Sequence, residues 1–287
     1  MAFCGGARRS VVWVGDHSYD AGGRSGGGLK KKSSCHGLKI AHRTRLMNRA
    51  LLPLILACMA FGSMRGQAVN PPAAGQTANK EYIIITGGVS LYEWEKFKAQ
   101  PHDHWWANFV HASRVRFDQM RQQYGPDARI TWLIYKPAYL KRSKQEGRDL
   151  IAMIQSVRDE DHLNLVFFDK ASDMLDYLNY GQDRNVVKIA DLEYFGHSNK
   201  ACFMFDYSCE LDSASKCWLH ETDLSKIKRV DFAKGAFVKS WGCHTGEEMS
   251  GYWRSATGTR MWGAIGRTDY SNDNEVVLST PGGHWVN

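Results

Sequence analysis

The sequence predicts an α/β protein of three layers, in which helices cover both faces of a mostly parallel central sheet. From Lys80 onward, short apolar runs rich in β-branched residues alternate with segments whose apolar residues recur at helical spacing. The sequence contains no internal repeat. Hydrophobic residues make up 43% of the 287 positions, which is enough to build a core. Strand–helix alternation of this kind is typical of βαβ units in a single domain.

Individual elements follow from the apolar runs and the residues that end them. Strands are predicted over 81–88, 128–137, 163–169, 186–198, 234–246 and 260–267. Helices are predicted over 105–125, 146–161, 171–181 and 248–258. We expect Gly125 to end the first helix, Ser172 or Asp173 to begin the third, and Pro137 to stop the second strand.

Charge separates the leader from the rest of the chain. Residues 1–68 carry 11 Lys/Arg and 2 Asp/Glu, a net of +9, whereas residues 69–287 carry 26 and 28, a net of −2. A folded domain that is close to neutral lacks the basic face that nucleic-acid binding needs, so this function is not expected.

The leader has the layout of an exported protein. Residues 1–46 are rich in Gly, Ser and Lys and are expected to be a disordered or mis-assigned upstream extension, with translation starting at Met47. Residues 47–68 resemble a secretory signal peptide, 69–80 a linker, and 81–287 the folded domain. We therefore expect the mature protein to be secreted or periplasmic. The alternative is a lipoprotein anchored through Cys58, and beyond such a leader or anchor no membrane contact is expected.

Two residues come directly after predicted strands, where open α/β sheets place their functional groups. His197 follows "IADLEYFG" and Cys243 follows "AFVKSWG", so each stands behind a glycine, Gly196 or Gly242, that permits a sharp turn. If the two strands are neighbours, an imidazole and a thiol meet at one edge of the sheet. Such a pair supports nucleophilic catalysis, in which the histidine promotes thiolate formation and protonates the leaving group.

The two motifs also resemble those of a known family. The first motif is "EYFGHS" and the second is "SWGCHTGEEMS"; the cysteine of the second lies 46 positions after the histidine of the first. Together they resemble the caspase-like (clan CD) cysteine peptidases, such as caspases, legumains, gingipains and clostripain. The resemblance implies a caspase-like fold for 81–287, a protein or peptide substrate, and a His197–Cys243 dyad that needs no metal or organic cofactor. Ser198 replaces the glycine that usually follows the histidine, and Trp241 stands where relatives that cut after Arg or Lys carry an acid.

The remaining parts of a site are expected near this dyad. Backbone N–H groups of Cys243 and of the turn at Ser198 are candidate oxyanion donors. Trp241, Glu247 and Trp253 are candidates for the wall of a substrate pocket, although Glu247 and Glu248 also suit the N-terminus of a helix.

Other interpretations of Cys243 stay open. It could be a zinc ligand, half of a disulfide or a buried core residue, and the region holds further cysteines and histidines at irregular spacing: Cys202, Cys209, Cys217, His220 and His244. Two of Cys202, Cys209 and Cys217 are expected to pair if the protein is exported. His102, Asp103 and His104 form a second, weaker metal candidate. As functions, a non-catalytic caspase-like binding module and a Cys/His amidase or acyltransferase that acts on other substrates remain alternatives.

Overall fold

Five parallel strands organise the computed structural model of the chain, which describes residues 79–89, 104–206, 215–272 and 274–287. In chain order the strands are β1 (Lys80–Thr86), β2 (Ile130–Tyr135), β3 (Asn164–Phe168), β4 (Lys188–Phe195), β5 (His197–Ser198), β6 (Cys202–Met204), β7 (Trp218–His220), β8 (Phe232–Ser240), β9 (Gly263–Ile265), β10 (Thr268–Asp269), β11 (Val277–Leu278) and β12 (His284–Val286). The central sheet has the order β3-β2-β1-β4-β8, and every pair in it is parallel.

Helices lie on both faces of this sheet. They are α1 (Asn108–Tyr124), α2 (Lys136–Glu146), α3 (Leu150–Glu160), α4 (Ala171–Tyr180) and α5 (Met249–Thr257). Alternate residues of β1 point to opposite sides, so that Ile84 packs with α1 and α3, whereas Ile83 and Ile85 pack with α4 and α5. The predicted α/β class with a mostly parallel sheet is therefore confirmed.

The second strand ends before Pro137, as predicted: β2 stops at Tyr135, and Pro137 lies in the first turn of α2, where its missing N–H costs nothing. Two other local predictions differ from the structure. Lys170, and neither Ser172 nor Asp173, caps α4, while the Asp173 carboxylate accepts the Lys170 N–H at 3.0 Å. The run 260–267 forms only the short β9, which pairs antiparallel with β12.

The leader and most of the linker lie outside the described residues, so the expectations for 1–46, 47–68 and Cys58 stay predictions. Within the ranges that the structure does describe, every helix is too short or too polar to cross a membrane.

Candidate functional site

The carboxyl ends of β4 and β8 lie side by side at one edge of the sheet. The two strands pair in parallel, with Tyr194 opposite Ser240. His197 follows the first of them and Cys243 the second, each after a short turn. The expectation that these strands are neighbours is confirmed, and it brings the two candidate residues to the same edge.

Glycine at position 242 allows the turns behind the two strands to touch. A Cβ atom at Gly242 would lie 2.1 Å from Ser198 Oγ and 2.8 Å from Ser198 Cβ, so a side chain here would force one of the two turns to shift. In this space the Ser198 hydroxyl donates a hydrogen bond to the Cys243 carbonyl oxygen at 2.7 Å. The residue after the histidine therefore holds the backbone of the cysteine directly.

The Cys243 sulfur faces β10. The Thr268 backbone N–H donates to Cys243 Sγ at 3.4 Å, and the Thr268 hydroxyl lies 3.5 Å from the same sulfur. Because Cys243 is half-buried, this contact fixes the direction of its side chain without enclosing it.

Tyr270 joins the two strand ends on the side of α1. Its hydroxyl accepts the Gly196 N–H at 3.3 Å and donates to the Trp241 carbonyl oxygen at 3.0 Å. Burial, and then the negative charge of the nearby Cys243 thiolate, raises the pKa of Tyr270 well above its ordinary value, so the phenol stays protonated and able to donate.

The His197 ring lies in the same group of side chains. Phe109 of α1 contacts it edge to face, with ring centroids 4.9 Å apart, and makes an equivalent 4.9 Å contact with Tyr270. Phe109 therefore packs against both the His197 imidazole and the Tyr270 ring. Helical spacing predicted the place of Phe109 in a helix but not its contact with the histidine.

Trp241 is held by a buried carboxylate. Its indole N–H donates to Glu193 Oε2 at 2.5 Å, and Arg116 Nε donates to Glu193 Oε1 at 2.5 Å. The indole also stacks on Phe195, with ring centroids 5.6 Å apart. Trp241 therefore lies on the α1 face of the sheet, two residues before Cys243, and its role in a substrate pocket stays a prediction.

Two of the predicted pocket residues have other contacts. Glu247 Oε1 lies 2.6 Å from His244 Nδ1 and accepts the Gly266 N–H at 3.3 Å. Trp253 is only 1% exposed, packs against Phe232 and donates to Thr259, so its assignment to a pocket wall was wrong. The spacing of α5 turns Trp253 into the core.

The acidic pair lies at the N-terminus of α5, as predicted: Glu248 is the N-cap residue and Glu247 directly precedes it. Glu248 also forms an ion pair with Lys200 at 2.6 Å. This contact ties the start of α5 to the loop after β5.

Ser198 lies in β5, which pairs antiparallel with β6, and not in an open turn. The proposed oxyanion donors near Cys243 and Ser198 stay predictions.

The two other cysteines within the described residues, Cys202 and Cys217, are free thiols. Cys202 and Cys217 are not joined by a disulfide, contrary to expectation, and Cys209 lies outside the described residues. The two thiols lie at opposite ends of the β6–β7 pair, Cys202 opposite His220 and Cys217 just before β7, which keeps them apart. Burial raises the pKa of each to about 12. In the described ranges, His, Cys, Asp and Glu side chains nowhere converge in threes as a metal site would require, whereas His102 and Asp103 lie beyond those ranges.

Thr268 and Tyr270 are the site residues that sequence reasoning missed. They follow β9, and the residue before β9, Trp262, forms a parallel bridge with Lys239 of β8. The same rule that singled out His197 and Cys243, to look just beyond the end of each strand, would have reached them.

Comparison of the chain with protein-family models, with curated proteins and with solved structures finds no match.

Proposed function

We propose that the protein is an exported cysteine endopeptidase of caspase-like, three-layer α/β/α fold, with Cys243 as nucleophile and His197 as general acid and base. The observation that carries the proposal is the parallel pairing of β4 with β8, which brings both residues to one sheet edge. The hydrogen bond from Ser198 to the Cys243 carbonyl supports the same arrangement.

In the proposed reaction, the Cys243 thiolate attacks the carbonyl carbon of the scissile peptide bond and backbone N–H groups stabilise the resulting oxyanion. The protonated His197 then gives its proton to the leaving amine as the carbon–nitrogen bond breaks, which leaves a thioacyl-enzyme. Water attacks the thioester with His197 as base, and the carboxylic acid product and the free thiolate separate. The Thr268 N–H supports the thiolate at both ends of the cycle.

A non-catalytic caspase-like module is a second candidate, because Phe109 packs on the His197 ring and Thr268 on the Cys243 sulfur. Contacts of this kind also occur in residues that serve only packing.

Alkylation with iodoacetamide separates the two candidates. A catalytic Cys243 should react faster than free cysteine, and His197→Ala should abolish this advantage, as followed by the mass of the peptide that contains Cys243. His244→Ala is the matched control, since His244 contacts Glu247 and should leave the rate unchanged.

Cys202 and Cys217 provide internal references in the same sample, because their pKa values of about 12 keep them protonated and slow. Peptide-library cleavage by the wild type, absent from Cys243→Ala, completes the test. If Cys243 reacts no faster than Cys217 and no peptide is cleaved, the endopeptidase proposal is wrong.

A further inference from the structure

Three exposed apolar side chains lie at the edge of the sheet opposite the candidate dyad. Because the strands are parallel, this edge holds the amino ends of β1, β4 and β8 and the loops that lead into them. Val230, just before β8, is 70% exposed, Tyr180 at the end of α4 is 66% exposed, and Val186, just before β4, is 52% exposed. Single exposed apolar residues are ordinary, whereas a group of them marks a binding surface.

Two lysines join these side chains into one patch. Lys228 Nζ lies 3.8 Å from the centroid of the Tyr180 ring and belongs to the same loop as Val230. Lys188 Nζ donates to the Val230 carbonyl oxygen at 2.7 Å and follows Val186 by two residues. The three apolar residues therefore lie together, with ammonium groups among them.

This patch is positively charged, although the folded domain as a whole is close to neutral. Lys80 pairs with Lys188 in the register of β1 with β4, so two ammonium groups begin neighbouring strands and repel each other. Arg229 donates to carbonyl oxygens at the end of α5, which leave its charge in place. The carboxylates beside these groups are those of Asp183, which is exposed, and Asp231, which is buried. Four positive groups against two negative ones leave a net of +2. The basic edge, as we call this patch, consists of Lys80, Tyr180, Val186, Lys188, Lys228, Arg229 and Val230.

We infer that the basic edge docks on the surface of an anionic lipid bilayer. In this arrangement the lysines lie against lipid phosphates, and the two valines and the tyrosine ring enter the boundary between headgroups and acyl chains. The contact is additional to the leader or lipid anchor that the sequence predicts, and it does not rest on the proposed function. The predicted linker joins the domain at Lys80, so a leader or anchor would hold this same edge near the membrane.

The composition of the basic edge favours a bilayer over other partners. Exposed valines gain free energy when they leave water for an apolar phase, which the phosphates and sugars of a nucleic acid do not offer. A second copy of the chain would place lysines against lysines across a two-fold axis. A bilayer supplies both the negative charge and the apolar depth that this patch lacks.

Docking at the basic edge holds the candidate dyad away from the bilayer. β8 begins two residues after Val230 and ends three residues before Cys243, and it has nine residues. At about 3.3 Å per residue the strand spans roughly 30 Å. The candidate site therefore faces the aqueous side, where it meets soluble proteins.

Sedimentation of the purified exported protein with lipid vesicles tests the inference. Vesicles of phosphatidylcholine alone are compared with vesicles that also contain phosphatidylglycerol. The protein is expected to partition about tenfold more strongly onto the anionic vesicles, and to lose this preference as salt is added, because salt screens surface charge.

Removal of charge distinguishes the basic edge from the rest of the surface. The double variant Lys80→Gln/Lys228→Gln should bind anionic vesicles about tenfold more weakly than the wild type. Lys216→Gln/Arg267→Gln is the matched control, since it removes the same charge at two exposed positions outside the basic edge and should bind as the wild type does.

Val230→Ser tests the apolar part of the contact. It should weaken binding to anionic vesicles about threefold, because it removes apolar surface that the bilayer buries. Leu140→Ser, at a leucine that is 43% exposed on α2, should leave binding unchanged. Unfolding temperatures of all variants show that they are folded, and the lysine and valine substitutions test the inference separately.

Equal partition onto the two kinds of vesicle, equal loss in the lysine variant and its control, or unchanged binding of Val230→Ser would each overturn the inference. Displacement from the vesicles by duplex DNA at an equal concentration of phosphate would assign the basic edge to nucleic acid and overturn it as well. A preference for anionic vesicles together with an unreactive Cys243 would overturn the proposed function alone.

Discussion

Single side-chain atoms tie the two strand ends together, and the Tyr270 hydroxyl is the one that contacts both. Tyr270→Phe leaves the Gly196 N–H and the Trp241 carbonyl without this partner. Unpaired, partly buried polar groups of this kind cost about 1–3 kcal/mol, so urea unfolding should show a loss of that size. Iodoacetamide should also discriminate less between Cys243 and Cys217.

The control is Tyr252→Phe, because Tyr252 is 47% exposed on α5. If both tyrosine variants have the stability of the wild type, Tyr270 does not join the strand ends.

Substitution of Trp253 tests whether this side chain is part of the core or of a pocket wall. Trp253→Ala should lower the free energy of unfolding by about 3–5 kcal/mol, because it empties a fully buried site. Trp218→Ala, at a tryptophan that is 47% exposed, should change the unfolding free energy by much less in the same urea titration. Comparable stability of the two variants would contradict the core assignment.

Lys239 makes stability depend on pH. Burial lowers the pKa of Lys239 from its ordinary 10.5 to about 8, despite the opposing effect of Glu193. Between these two values the unfolded chain binds more protons than the folded one, so this residue makes stability rise as pH increases from about 8 to about 10.5. Lys239→Met should remove that rise.

The measurement is the free energy of unfolding at pH 7.5 and pH 9.5 in both proteins. Other titrating groups are common to the two, so the difference between their pH responses belongs to Lys239. A parallel response of wild type and variant would contradict the lowered pKa.

At the scale of elements, the turn after β8 has to lie close to the turn after β4. Gly242→Ala places a methyl group against Ser198 Oγ and should destabilise the protein and slow Cys243 alkylation. Gly251→Ala is the matched control: among the described residues, no neighbour lies within 4 Å of the methyl group that it adds to α5, and it should stabilise by about 0.4–1 kcal/mol. The measurement is the unfolding temperature of the two variants relative to the wild type. A stabilised Gly242→Ala variant would show that the two turns are not in contact.

Elements with a clear period could be predicted from the sequence, and their contacts could not. The apolar run of β1 and the helical spacing of α1 are local signals, and both elements lie where they were expected. Which strands pair is a non-local property that residue spacing does not encode. The sequence therefore predicts His197 and Cys243 at one edge of the sheet only if the strands before them are neighbours. Tyr270 was missed because the strand directly before it, β10, has only two residues, too few to show an alternating apolar pattern.

For the whole molecule, the signal-peptide layout of residues 47–68 leads to a prediction about export. A chain expressed from Met47 should be exported and cleaved after Ala68, so that N-terminal sequencing of the exported protein begins at Val69. Cys58→Ser should leave export unchanged, since it removes only the alternative lipid anchor. A peptide from residues 10–40 in the native protein would contradict the assigned start.

The position of β8 has a further consequence for motion. β8 is one of the two outer strands of the central sheet in the described residues, held by β4 on one side and by backbone hydrogen bonds to Trp262 on the other. Its pairing with β4 skips from Phe232 to Phe237, and Gly235 between them has a φ of +74°. Amide hydrogens of β8 should therefore exchange with deuterium sooner than those of β4, which is enclosed by two strands. Transient openings would then carry the cysteine away from a histidine that stays in place, and bound peptide along that edge would slow the exchange.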